Sequence, residues 1–108
     1  MDKVVKYEKL VLGIINEMIS KNDSEAVIVD KENRHYFLQW IGFNQDNRFI
    51  DKPLLHFQIK PNGKIWILAN LTEEDIAEEL LKRGVDRTDI VIGFHPEHLR
   101  KHTGFAVS

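Results

Sequence analysis

The chain has no cysteine, and its 108 residues include only three prolines. Without cysteine it can form neither disulfides nor thiolate metal sites, which agrees with a reducing compartment. Acidic and basic side chains nearly balance at a formal charge of -2, so no overall attraction to a nucleic-acid backbone is expected. The longest apolar runs, such as 11–15, are far too short to span a bilayer, and the first residues start no secretory signal. These absences predict a cytoplasmic protein with no membrane contact.

The length predicts a single domain, residues 1–108, with a hydrophobic core of useful size. Its first segment, 2–22, has apolar side chains at steps of three and four residues, which predicts a helix. The apolar arc comprises Val4, Tyr7, Val11, Ile14 and Met18, extended sideways by Val5, Leu12, Ile15 and Ile19. Such an arc is wider than one packing surface requires. Either the rest of the chain or a second subunit, in a homodimer, is expected to cover the excess.

Strand-like runs follow in close succession and predict a four-stranded antiparallel meander. The runs are 25–30, 35–43, 49–60 with a break near Pro53, and 64–69. Pro and Asn-Gly in the connection 60–64 predict a three-residue loop with a bulge. The pairs expected from that loop are Ile59 with Ile65, Phe57 with Ile67, and Leu55 with Ala69. The opposite sheet face is expected to be partly covered, because it would carry His56, Gln58, Lys64, Trp66 and Leu68, with Tyr36, Leu38 and Trp40 nearby.

A second helix is predicted to begin at Thr72, with Asp75 completing an approximate capping box, and to end at Gly84. Its core stripe comprises Ile76, Ala77, Leu80 and Leu81. Residues 90–92 predict a short fifth strand or extended segment. The C-terminal tail ends on apolar residues, so we expect it to fold back with Phe94, Phe105 and Val107 as anchors. The predicted fold class is therefore α+β.

The tail also holds the residues considered for chemistry. His95, His98 and His102 recur at helical spacing, but Pro96 interrupts the series and no carboxylate follows at a ligand spacing. No metal site is predicted. Serine, glycine and carboxylate patterns match no nucleophile elbow, phosphate-binding loop or acid–base pair, so neither a catalytic residue nor a cofactor is assigned. A small hydrolase using His95 is the least favoured alternative.

Arg100 and Lys101 are the strongest candidates for recognition, because Arg can bind a carboxylate or phosphate with two hydrogen bonds and Lys adds a point charge. His95 and His102 flank them. A solvated cationic turn, or a salt bridge to the acidic second helix, explains the pair about as well. Direct DNA binding by this segment stays open as an alternative.

Several strings, in order along nearly the whole chain, resemble the XisI family, the fdxN element excision controlling factors. They include 63–67 (GKIWI), 76–80 (IAEEL), 83–85 (RGV), 89–96 (DIVIGFHP) and 100–107 (RKHTGFAV). The resemblance implies a small cyanobacterial or related α+β protein that is required, with a companion called XisH, for excision of a DNA element by a separate recombinase. It implies an accessory role and assigns no catalytic residue.

These observations lead to the expectation of a non-enzymatic interaction protein, XisI-like, that binds an XisH-like partner. The expected partner-binding residues are His95, Arg100, Lys101 and His102. Any contact with DNA is expected to be indirect or weak.

Overall fold

The computed structural model describes residues 2–19 and 24–108, which form an α+β fold as predicted. A five-stranded sheet has the order β1-β2-β3-β4-β5, in which the first four strands are antiparallel and β5 is parallel to β4. The elements are α1 (Lys3–Met18), β1 (Glu25–Asp30), β2 (His35–Phe43), β3 (Phe49–Ile59), β4 (Ile65–Asn70), α2 (Ile76–Lys82), a 3-10 turn (Arg87–Asp89), β5 (Ile90–Ile92) and α3 (Glu97–Arg100). Within the described ranges, no helix combines the length and apolarity that crossing a bilayer requires.

Helix α1 packs its predicted apolar face on the sheet. The Asp2 carboxylate caps it by accepting a hydrogen bond from the Val4 N–H at 2.9 Å. The helix ends at Met18 because Ile19 has an extended backbone, and the rest of the predicted span, 20–22, lies outside the described residues. Most of the wide arc is covered by this chain itself, and only its margin, at Val5, is 42% exposed. A second subunit is therefore not needed to cover α1.

The hairpin between β3 and β4 forms around the predicted loop. Gly63 has a φ of +87°, and its N–H donates to the Lys60 carbonyl at 2.8 Å. The predicted pairs of Ile59 with Ile65 and of Phe57 with Ile67 are confirmed. The third predicted pair is wrong, because the register shifts between His56 and Phe57 and Leu55 pairs with Asn70.

The expected position of Tyr36 and Leu38 on the outer sheet face is also wrong. Tyr36 pairs with Phe57 and Leu38 with Leu55, so both side chains point to the buried face under α1. The hydroxyl of Tyr36 donates to Oε2 of Glu8 at 2.5 Å, which explains a carboxylate inside the apolar arc of α1. Strand β3 does not break at Pro53. It continues through a register shift that leaves Leu54 as the extra residue of a bulge.

Helix α2 begins later than predicted. Its first residue is Ile76, and the cap is Asp75, whose Oδ1 accepts from the Glu78 N–H at 3.1 Å. Thr72 is not the cap because Asn70 Oδ1 accepts hydrogen bonds from its amide at 3.0 Å and its hydroxyl at 2.6 Å. The core stripe of the helix is confirmed, with Ile76, Ala77 and Leu80 buried.

Candidate protein-interaction surface

The segment after β5 packs against the outer face of the sheet at Trp66. The Gly93 N–H donates to the Ile67 carbonyl at 2.8 Å, which brings the chain close to β4. A Cβ at position 93 would lie 2.8 Å from a Leu68 methyl carbon and 2.9 Å from the Trp66 ring. A glycine is therefore required here for close backbone approach. This contact covers part of the outer face, as the sequence predicted.

Arg100 fastens the tail to the sheet. Its Nε donates to the His95 carbonyl at 3.0 Å, and its Nη1 donates to the Val107 carbonyl at 3.2 Å. Its guanidinium carbon lies 4.8 Å from the centre of the Trp66 ring, in a cation–π contact. Two of the guanidinium N–H groups are thus used in hydrogen bonds to this chain's own backbone. Arg100 therefore holds the tail in place, although its position in the sequence had indicated a residue displayed for a partner.

The tail folds back as expected, and one of its three predicted anchors, Phe105, packs against the core. The Ala106 N–H donates to the Ile90 carbonyl at 2.9 Å, and Ala106 bridges to Val91 beside β5. Phe105 packs partly buried against the core, under the guanidinium of Arg87 at 4.8 Å. The two other expected anchors are wrong: Phe94 is 50% exposed and Val107 is 44% exposed.

The remaining predicted site residues lie on the surface of the same segment. Lys101 and His102 are exposed, and His95 is half-buried with its ring 4.8 Å from that of Phe94. The same segment also exposes three apolar side chains, Phe94, Leu99 and Val107. We call this set the tail face. It consists of Phe94, His95, Leu99, Lys101, His102 and Val107.

The tail face has exposed apolar side chains, as protein docking surfaces do, but no arrangement of its residues points to metal binding or catalysis. Throughout residues 2–19 and 24–108, no three histidine or carboxylate side chains are placed to hold a metal ion. The His95 side chain is not paired with a carboxylate in that part of the chain. Exposed apolar side chains in the same segment as an exposed lysine are instead suited to a partner that offers an apolar and acidic surface.

A second cluster, on β2 and β3, was not found from the sequence. The His35 Nδ1 lies 2.8 Å from the His56 Nε2, and Phe37 stacks on His56 with ring centres 4.0 Å apart. Burial, together with the charge of His35, lowers the pKa of His56 to about 4. The two histidines meet because β2 and β3 are adjacent, and the pairing of strand 35–43 with strand 49–60 was the signal that could have indicated it.

A cavity of about 400 Å³ lies between α1 and α2. Its lining consists of Ile14, Met18, Ile76, Glu17, Glu74, Glu79 and Arg83. Arg83 joins the two helices, because Nη2 pairs with Glu17 and Nε donates to Oε1 of Glu79 at 3.0 Å. The hydrogen bonds and charges of Glu17 and Glu79 raise the pKa of Arg83. The cavity therefore lies at a junction where Arg83 joins α1 and α2 through salt bridges.

Comparison with known proteins finds relatives that share this fold. The profile of the XisI protein family matches residues 1–107. A XisI-like protein from Anabaena variabilis ATCC 29413 is 34% identical, with a TM-score of 0.86 over 97% of this chain and 99% of that protein.

From the same organism, the fdxN element excision controlling factor XisI is 29% identical. Its TM-score is 0.83 over 99% of this chain and 100% of that protein. No protein with a curated function matches the chain. The match of sequence profile and of fold extends over almost every residue, and the chain belongs to the XisI family.

Proposed function

We propose that this protein is an accessory factor in the excision of a DNA element and acts by binding an XisH-like protein through the tail face. The excision role follows from membership of the family and from its likeness to an excision controlling factor. The observation that carries partner binding is the tail face itself, where Phe94, Leu99 and Lys101 are all exposed in one short segment. A fold that keeps such apolar side chains in water provides a surface that a partner can desolvate.

A non-enzymatic role agrees with the chemistry of the tail. Acid–base catalysis by His95 would need an orienting carboxylate, and within the described residues its ring contacts Phe94 instead. The rigid attachment of the tail through Arg100 supports binding, because an ordered docking segment loses less conformational entropy when a partner binds.

Co-purification with the XisH-like protein of the same genome tests the proposal. We expect a complex at micromolar concentration, and we expect Lys101→Glu and Leu99→Ala each to weaken it about tenfold. Lys9→Glu and Leu71→Ala are matched controls, because they make the same changes at exposed positions outside the tail face. Two folded proteins that stay separate, or tail-face variants that bind like the controls, would contradict partner binding through this surface.

Direct DNA binding is the second candidate, and one observation favours it. Cations lie next to two aromatic rings, one on β4 and one in the tail: Lys60 and Arg100 approach Trp66, and Arg87 approaches Phe105. Basic groups beside rings suit a phosphate backbone and unstacked bases. A band shift that weakens steeply with salt would support this candidate, whereas no shift at low salt would eliminate it.

A further inference from the structure

Strand β1 forms one edge of the sheet and leaves aliphatic side chains in water on both of its faces. Val27 and Val29 are each 36% exposed on the face that carries α1, and Ile28 is 41% exposed on the outer face. Across the described residues, β1 pairs with no strand other than β2.

This edge lacks the features that usually prevent two edges from pairing. The central residues of β1, 26–29, contain neither lysine nor proline. Their register with β2 runs without a shift, so no bulge twists the edge away. Natural sheets usually protect an exposed aliphatic edge by such means, by keeping it short or by covering it, because an unprotected edge pairs with another strand. An edge of this kind can accept another strand.

The backbone of β1 determines which residues can bind at the open edge. The Ser24 carbonyl accepts a hydrogen bond from the Ile41 N–H at 2.7 Å, so even-numbered residues of β1 direct their polar groups toward β2. The odd-numbered residues Val27 and Val29 consequently direct N–H and C=O groups outward. An antiparallel partner must place its own outward residues opposite these two.

We propose that β1 pairs antiparallel with β1 of a second copy of this chain, about a two-fold axis at Ile28. In this register Val27 of each copy lies opposite Val29 of the other, and both present outward backbone groups. The two Ile28 side chains meet across the axis on the outer face, next to Phe37, to which Ile28 is paired within each copy.

Charge complementarity selects this register and this occupant. With the axis at Ile28, Lys31, the first residue of the turn after β1, comes to the end of the paired strands opposite Glu25 of the other copy, on both sides of the axis. Moving the axis to Val27 would place Glu25 opposite Val29, and moving it to Val29 would place Lys31 opposite Val27. If the axis lay between two residues, residues whose backbone N–H and C=O groups point outward would lie opposite residues whose groups point toward β2. A strand that complements itself in hydrogen bonds, aliphatic contacts and charge fits a second copy of itself.

The mass of the full chain in solution tests the pairing. We expect light scattering after gel filtration to give the mass of two chains for the natural sequence at micromolar concentration. Val29→Pro removes an outward N–H without removing a bond to β2, and Val27→Lys places a charge at the edge. Each is expected to raise the dimer dissociation constant at least about tenfold. Leu71→Lys is the matched control, since it changes an apolar residue that is 61% exposed outside β1.

A charge exchange provides a second measurement on the same surface. Lys31→Glu alone should weaken the dimer, and adding Glu25→Lys to it should restore much of the lost affinity, because the two charges then oppose each other again. A chain that stays monomeric up to about 100 µM overturns the proposal, since specific dimers form well below that concentration.

A dimer that Val27→Lys and Val29→Pro leave as tight as the Leu71→Lys control overturns it as well. So does a chain that is monomeric alone and pairs only with an XisH-like protein. The proposal is independent of the tail face, because β1 and the tail lie at opposite edges of the sheet. Dimerisation and partner binding can therefore succeed or fail separately.

Discussion

The hydroxyl of Tyr7 on α1 donates a buried hydrogen bond of 2.7 Å to Oδ2 of Asp89, 82 residues away in the chain. Among the described residues, Asp89 is the only charged residue classed as buried, and Lys3 pairs with its other oxygen at 3.2 Å. Burial and the hydrogen bond to Asp89 raise the pKa of Tyr7 to about 12, so the hydroxyl stays a donor at neutral pH. The pair joins the first helix to the turn that leads into β5 and the tail.

Replacing Tyr7 by Phe is expected to lower the free energy of unfolding by about 1–3 kcal/mol, because a buried carboxylate oxygen then lacks its donor. Urea denaturation followed by circular dichroism measures the loss. Lys9→Ala on the exposed side of α1 is the control and should stay within about 0.5 kcal/mol of the natural chain. An unchanged unfolding midpoint for Tyr7→Phe would refute the structural importance of the pair.

Acid is expected to destabilise the protein through His56. Its pKa is about 4 in the fold against an ordinary value of 6.5, so in that interval the unfolded chain binds the proton more tightly. The contribution of neutral His56 to the free energy of unfolding is therefore fully present above about pH 6.5 and is lost as the pH falls toward 4. Thermal unfolding between these pH values tests this. His56→Phe, which keeps a ring on Phe37, should flatten the decline, whereas His98→Ala at an exposed position should not.

Arg100→Ala is expected to loosen the tail and to cost about 1.5–3 kcal/mol, the usual effect of losing hydrogen bonds to a charged group. Arg100→Lys should recover little of this, because an ammonium group cannot reach both carbonyls with the same planar geometry. Hydrogen exchange at the Ala106 amide reports the attachment directly. Lys101→Ala, one residue away, should leave that amide as protected as in the natural chain, and equal protection in Arg100→Ala would contradict the fastening role.

Gly93→Ala is expected to destabilise the protein by about 1–3 kcal/mol through overpacking. The added methyl would lie within 3 Å of the Leu68 and Trp66 side chains and 3.2 Å from the Ile67 carbonyl oxygen. A rotation of the Leu68 side chain would relieve only one of these three contacts. Denaturation with tryptophan fluorescence measures the change. Gly13→Ala is the matched control, because its methyl would lie 3.8 Å from the nearest group, Nη1 of Arg83, and alanine favours a helix. Equal stability of the two variants would argue against close packing at Gly93.

The sequence predicted much of the fold where the signal is local. The loop 60–64 carries its own turn chemistry, so the register next to it, from Ile59 with Ile65 to Phe57 with Ile67, was predicted correctly. Beyond those pairs, the register shifts between His56 and Phe57, and no residue type in the sequence indicates that shift. Likewise, alternation in strand 35–43 separated two faces, but which face is buried depends on its partner β3.

The candidate site was predicted in part. The tail was correctly expected to return to the core, because a terminal Phe-Ala-Val run is apolar enough to be buried. The functions of its side chains could not be read from spacing, since Arg100 binds carbonyls on both sides of it in the chain and contacts Trp66 on β4. The pairing of His35 with His56 was missed for the same reason, as it exists only where two strands align.

The sequence by itself determined the α+β class, the family, the apolar face of α1 and the positions of most strands, because helix and strand periods and turn residues act over a few positions. Tertiary structure alone decided that Tyr7 meets Asp89, that Arg100 fastens the tail, and that β1 is left as an open aliphatic edge. Each of these depends on chain segments that are distant in sequence and are brought together by packing, which local preferences do not encode.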